Sequence, residues 1–137
     1  MKDLTVGQRK VRGILIALVL QYSLGMTVSH FGIPPDEETA THKAPYFAQL
    51  AFAAHGIVGL VLVVLSVIIL IASLKDKNVF VKRVGVAGFV SVMIAFIAGI
   101  ATVSLKENAA ETASFIMGIF FLVAFIAYGK LFYLLKK

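Results

Sequence analysis

The sequence contains no cysteine and few charged residues. Without cysteine, disulfides, thiolate-held zinc or iron–sulfur centres and thiol nucleophiles are all excluded. Only 15% of the 137 residues are charged, whereas 60% are hydrophobic and the mean hydropathy is +0.96. A soluble domain is about 25% charged and about half apolar. The composition therefore predicts a membrane protein.

Charged residues divide the chain into four uncharged stretches, at 13–35, 44–74, 84–105 and 112–129, the last continuing past Lys130. A helix needs roughly 20 residues to cross the hydrocarbon core, and a backbone in lipid must satisfy its own hydrogen bonds. The first stretch, with 23 uncharged residues, is longer than the roughly 7–15 of a secretory signal. We therefore predict one all-α domain, residues 1–137, with transmembrane helices at approximately 13–33, 46–74, 84–105 and 112–134.

Basic residues predict the orientation of these helices. Eleven of the thirteen Lys and Arg residues precede helix 1, separate helices 2 and 3, or follow the core of helix 4, whereas the other two connections are mainly acidic. Because loops rich in Lys and Arg stay in the cytoplasm, we expect both termini there, in a multi-pass protein of the plasma membrane. Short connections favour an antiparallel four-helix bundle. The basic clusters are typical of contact with lipid head groups, so no nucleic-acid partner is predicted.

All three histidines lie towards the predicted outer face. His42 is interpreted as a solvated loop residue beside an acidic run, and His30 lies near the end of helix 1. His55 lies inside helix 2, among alanines and glycines. An ionisable group within a span is costly and is by default a functional hypothesis. The imidazole either hydrogen-bonds to a Ser or Gln across the bundle or binds a cofactor.

Imidazole and thioether side chains are the ligands that hold haem iron, as His/His or His/Met pairs. His55 paired with Met26, His30 or Met117 predicts a b-type haem near the outer face. The same residue types bind copper, for which His55 and His30 are the alternative ligands. Other chemistries have little support, because no acidic residue lies mid-span and no hydrolase or nucleotide-binding motif is present.

Three segments of the first half also carry a family pattern: Leu20–Val28, Gly32–Pro35 and Ala53–Gly59. Together they resemble a half-unit of the haem A synthase family, and they are similar to small uncharacterised four-helix membrane proteins. The resemblance covers roughly residues 15–65. It implies haem ligation by His55 and, because those synthases contain two four-helix halves, a homodimer that restores eight helices. Helix 4 contains no histidine, so the resemblance supplies no second ligand.

The function expected from the sequence is therefore that of a membrane haem b protein. It would transfer electrons or handle haem beside a respiratory chain. A non-catalytic accessory or structural subunit of a larger membrane complex, such as a respiratory complex, is the alternative from another class. A quinone- or copper-binding membrane protein is a third, and enzymatic activity is left open. The lipid bilayer is the partner common to all of these.

Overall fold

The computed structural model describes residues 5–30, 46–105 and 107–136. These ranges contain four helices and no strand: α1 (Val6–His30), α2 (Tyr46–Leu74), α3 (Val79–Ser104) and α4 (Glu107–Leu134). All four are long and apolar enough to cross a membrane. This confirms the prediction of an all-helical protein with four helices that could span a membrane. His42 and the acidic residues 36–38 lie outside the described residues, so the expectations for them stay predictions.

Helix α2 has the predicted bounds, but the other three helices begin earlier than predicted. They start at Val6, Val79 and Glu107 instead of at 13, 84 and 112. The predicted starts follow the last charged residue before each apolar stretch. Charged residues mark the edge of the hydrocarbon, however, and they are compatible with helical backbone on the aqueous side of that edge. Each helix can therefore begin outside the lipid.

Capping side chains explain where α1 and α3 begin. The Thr5 hydroxyl accepts the backbone N–H of Gln8 at 3.2 Å, and the side-chain oxygen of Gln8, Oε1, accepts the backbone N–H of Thr5 at 3.0 Å. This reciprocal pair is a capping box. At the start of α3, the Asn78 side chain accepts the N–H of Phe80 at 2.9 Å. Both caps satisfy backbone donors that a helix leaves unpaired in its first turn.

The helices contact one another in chain order. Within the described residues the backbone of α1 lies next to those of α2 and α4, and the backbone of α3 also lies next to these two, whereas the backbones of the two diagonal pairs stay apart. The main apolar core lies where α1 and α3 begin and where α2 and α4 end. It includes Val11, Ile14, Leu18, Ile69, Val81, Tyr128 and Leu131. The core therefore joins all four helices at this end.

Glycines on one helix provide room for larger side chains of a neighbouring helix. The glycine–partner pairs are Gly7 with Leu135, Gly25 with His55, Gly59 with Gln21, Gly85 with Ser73, Gly88 with Tyr128 and Gly99 with Met117. In lipid, where no hydrophobic effect drives helices together, small residues permit the close approach that gives van der Waals contact. These pairs therefore fix the register between neighbouring helices.

Candidate functional site around His55

His55 on α2 lies opposite Gln21 on α1. The side-chain nitrogen of Gln21 is 3.1 Å from His55 Nε2. An amide nitrogen can only donate, so the imidazole accepts at Nε2 and, being neutral, carries its proton on Nδ1. This hydrogen bond is the first of the two roles considered for His55 from the sequence. It links two helices through residues that are 34 positions apart.

The same two side chains each cover a glycine of the opposite helix. A Cβ atom built on Gly25 would lie 3.2 Å from His55 Cε1 and 3.6 Å from its Nδ1. A Cβ atom built on Gly59 would lie 3.3 Å from the Gln21 side-chain nitrogen. In both helices the polar residue and the glycine are four positions apart, so they share a face. The interface is therefore reciprocal, and the Cε1–Nδ1 edge of the imidazole packs against Gly25.

Two polar atoms of this pair have no hydrogen-bond partner within the described residues. They are His55 Nδ1 and the side-chain oxygen of Gln21, Oε1, and both atoms are buried. A buried donor or acceptor that is left unpaired costs about 1–3 kcal/mol. The hydrogen bond between the two side chains therefore satisfies only half of the polar groups that the pair brings into the interface.

The other predicted ligands do not share the face of α1 that meets His55. Met26 and His30 follow Gly25 by one and five positions, so their side chains leave the helix at about 100° and 140° from the direction of Gly25. The Met26 side chain is 55% exposed, and His30 is also exposed at the end of α1. The structure therefore places Gln21 and Gly25 against His55.

Met117 belongs to α4, whose backbone lies diagonally across the bundle from that of α2. Its sulfur atom would lie 3.2 Å from a Cβ atom built on Gly99 of α3, so it packs into a different interface from that of His55. The described residues contain no group of three or more His, Asp or Glu side chains placed to hold a metal. Haem or copper binding by His55 with Met26, His30 or Met117 stays a prediction.

A second buried polar side chain, Tyr128, is absent from the residues selected by sequence. It is fully buried on α4, and its ring lies against Gly88 of α3. Its hydroxyl approaches Ser66 of α2, although the two groups do not form a well-aligned hydrogen bond and the Tyr128 hydroxyl has no other partner within the described residues. The Ser66 hydroxyl itself donates to the Val63 carbonyl at 2.7 Å. The sequence does contain one signal for such a residue. Gly85, Gly88 and Ser91 give α3 a face of small residues, which predicts a large side chain on a neighbouring helix.

An apolar groove of about 570 Å³ opens between α3 and α4. Its lining is aliphatic except for Thr112, whose hydroxyl donates to the Asn108 carbonyl at 3.0 Å. The groove contains none of the predicted ligands. Among the described residues, the side chains that line the groove carry no titratable group. Its composition suits contact with lipid chains.

Comparisons with protein-family models, curated proteins and solved structures give no match to this chain. The resemblance to haem A synthases therefore stays an expectation, and the function must be argued from the residues themselves.

Proposed function

We propose that this chain is a non-catalytic accessory subunit of a larger membrane complex, in which His55 has a packing role. In this proposal the helices form an antiparallel bundle in the plasma membrane, with both termini in the cytoplasm. The observation that carries the proposal is the hydrogen bond of 3.1 Å between Gln21 and His55. It uses the one histidine that lies well inside a span to join α1 to α2.

The packing around His55 supports this role over that of a ligand. Nε2 accepts from Gln21, and the ring occupies the space above Gly25. An iron or copper ion bound at Nε2 would have to displace the Gln21 amide, so the side chains as placed do not fit the metal. A polar contact between helices in lipid contributes about 0.6–2 kcal/mol, and this is the contribution that the packing role assigns to the pair.

Two glycines on outward faces support association with another membrane protein. Gly56 on α2 and Gly118 on α4 are exposed, and nothing lies within 4 Å of a Cβ atom built on either. Small residues on a lipid-facing surface allow a second helix to approach closely. The partner we propose is therefore an apolar transmembrane helix, from a larger complex or from a second copy of this chain.

Site-specific cross-linking tests this association directly, because the chain has no cysteine of its own. Gly56→Cys and Gly118→Cys would each carry a thiol-linked photo-cross-linker in native membranes, with Val19→Cys, 53% exposed on α1, as the lipid-facing control. We expect a discrete adduct from at least one glycine position and none from the control. An adduct with the mass of two copies would identify a homodimer. The same diffuse lipid labelling at all three positions would reject the proposal.

A b-type haem protein is the second candidate function. It is favoured by the buried Nδ1 atom of His55, which has no partner within the described residues. Packing alone thus leaves the imidazole incompletely satisfied. A bound haem would supply one-electron chemistry. His55 would be the residue that holds it, through Nδ1. The ring proton would then lie on Nε2, and the Gln21 side chain would turn so that its carbonyl oxygen, which is also unpaired here, accepts that proton.

Visible spectra separate the two candidates. The full chain would be expressed with ample haem, purified in mild detergent and recorded both oxidised and reduced with dithionite. The packing role predicts a colourless protein that His55→Leu and Gln21→Leu destabilise to a similar extent. A Soret band that disappears in His55→Leu but persists in Gln21→Leu would establish haem binding and overturn the packing role.

A further inference from the structure

The end of the molecule where α1 and α3 begin and α2 and α4 end carries a concentration of positive charge, and we call it the basic end. Its helices are joined there by the shared core described above. Asp76 is the one acidic residue that the described parts of the chain place at this end. The basic residues are Arg9, Lys10, Arg12, Lys75, Lys77, Lys82, Arg83, Lys130 and Lys136.

The turn between α2 and α3, residues 75–78, is held in place by its own polar groups. The N–H of Asp76 donates to the Ser73 carbonyl at 3.2 Å. The Asp76 carboxylate accepts the N–H of Asn78 at 2.7 Å, and the Asn78 side chain in turn caps α3. The single acid of the turn is therefore engaged by a backbone donor. With four basic residues and one acidic residue between Lys75 and Arg83, this segment carries a net positive charge.

Cations and apolar side chains alternate around this turn. Lys75, Lys77 and Arg83 are exposed, and Lys82 is half-buried. Leu74, Val79 and Phe80 are 49%, 55% and 63% exposed, and they lie at the very ends of the two apolar spans. These three side chains therefore reach the edge of the hydrocarbon, while the cations extend beyond it to the level of the lipid head groups.

We propose that the α2–α3 turn binds the phosphodiester head group of an anionic phospholipid. Charge complementarity identifies the phosphate, and the exposed apolar side chains identify the lipid, because a free phosphate would gain nothing from them. The inference rests on the membrane placement in the proposed function, but it does not depend on the accessory role. Each Lys or Arg near an anionic surface contributes about 1 kcal/mol, or about fivefold in affinity.

The first test uses the unaltered full chain. After delipidation in a neutral detergent, the protein would be titrated with phosphatidylglycerol, phosphatidylcholine or glycerol 3-phosphate, and bound lipid would be measured by native mass spectrometry. We expect retention of phosphatidylglycerol, weakening as salt is added, and little retention of the other two. Equal retention of both phospholipids would refute a site for anionic lipid. Glycerol 3-phosphate that binds as well as phosphatidylglycerol would show a free-anion site instead.

Paired variants then locate the site. Lys75→Gln/Lys77→Gln removes two charges from the turn, and Lys10→Gln/Arg12→Gln removes two from the same end of the molecule but from α1. We expect the turn variant to lose about 25-fold in affinity for phosphatidylglycerol and the α1 variant to lose clearly less. Equal losses would show that only the overall charge matters and would overturn the assignment to the turn. None of these outcomes depends on the cross-linking or spectra that test the proposed function.

Discussion

Replacing Gly88 with alanine is the most direct test of the packing described above. A Cβ atom at this position would lie 2.8 Å and 2.9 Å from two ring carbons of Tyr128. Ordinary contacts between carbon atoms lie at about 3.5–4.0 Å. Tyr128 is fully buried, as are its core neighbours Ala124 and Leu131, so the ring has little freedom to move. The added methyl group must therefore separate α3 from α4.

The size of this effect follows from comparison with a second glycine. Gly129→Ala on α4 adds the same methyl group where nothing lies within 4 Å. Both substitutions gain the same helix propensity, about 1 kcal/mol over glycine, so this contribution cancels between them. Overpacking of a filled core costs about 1–3 kcal/mol. We therefore expect Gly88→Ala to be less stable than Gly129→Ala by about that amount.

The free energy of unfolding can be measured on the full chain by titrating detergent micelles with SDS and following helicity by circular dichroism. A Gly88→Ala variant as stable as Gly129→Ala would refute the close contact between Gly88 and Tyr128. Combining Gly88→Ala with Tyr128→Leu removes the ring that the methyl group meets. The loss from the pair should then be smaller than the sum of the two single losses.

Three further predictions concern other contacts. Gln21→Leu and His55→Leu should each lower the free energy of unfolding by about 0.6–2 kcal/mol in the same titration, since each removes the hydrogen bond between α1 and α2. A double variant that loses the full sum of the two would contradict this hydrogen bond. Asn78→Ala should lower the free energy of unfolding by about 1 kcal/mol, because α3 loses its N-cap. The thermal midpoint should fall accordingly, and Asn78→Asp, which keeps a capping oxygen, should restore it. Gly99→Ala should leave the free energy of unfolding in the SDS titration nearly unchanged, because the flexible Met117 side chain can move aside. A decrease of more than about 2 kcal/mol would show instead that the Met117 sulfur is held rigidly.

The positions of the spans could be predicted from sequence because hydrocarbon excludes charge. The bounds of α2 follow directly from this rule. The early start of α1 could not be predicted in that way, since it depends on the mutual capping of Thr5 and Gln8 and not on hydropathy. Lipid boundaries and helix ends are different properties of the chain, and only the first is recorded in the distribution of charge.

The candidate site could be predicted only in part. His55 is conspicuous in the sequence because it is an imidazole within an apolar run, but its partner depends on how α1 and α2 are aligned. That alignment is set by contacts between helices, such as the contact of the His55 ring with Gly25. A local sequence pattern does not contain such contacts. Tyr128 was missed for a different reason. A search for ligands selects imidazole and thioether groups, whereas the Tyr128 ring fills the space between helices.

The pairing of glycines with large side chains across helices has a consequence for sequence divergence. At Gly25 with His55, and at Gly88 with Tyr128, neither member can change size alone without a collision or a void. Descendants of a common ancestor should therefore exchange the two members of such a pair together, large for small and small for large. Correlated substitution at these positions would preserve the spacing of the helices even where the identity of every residue in the contact has drifted.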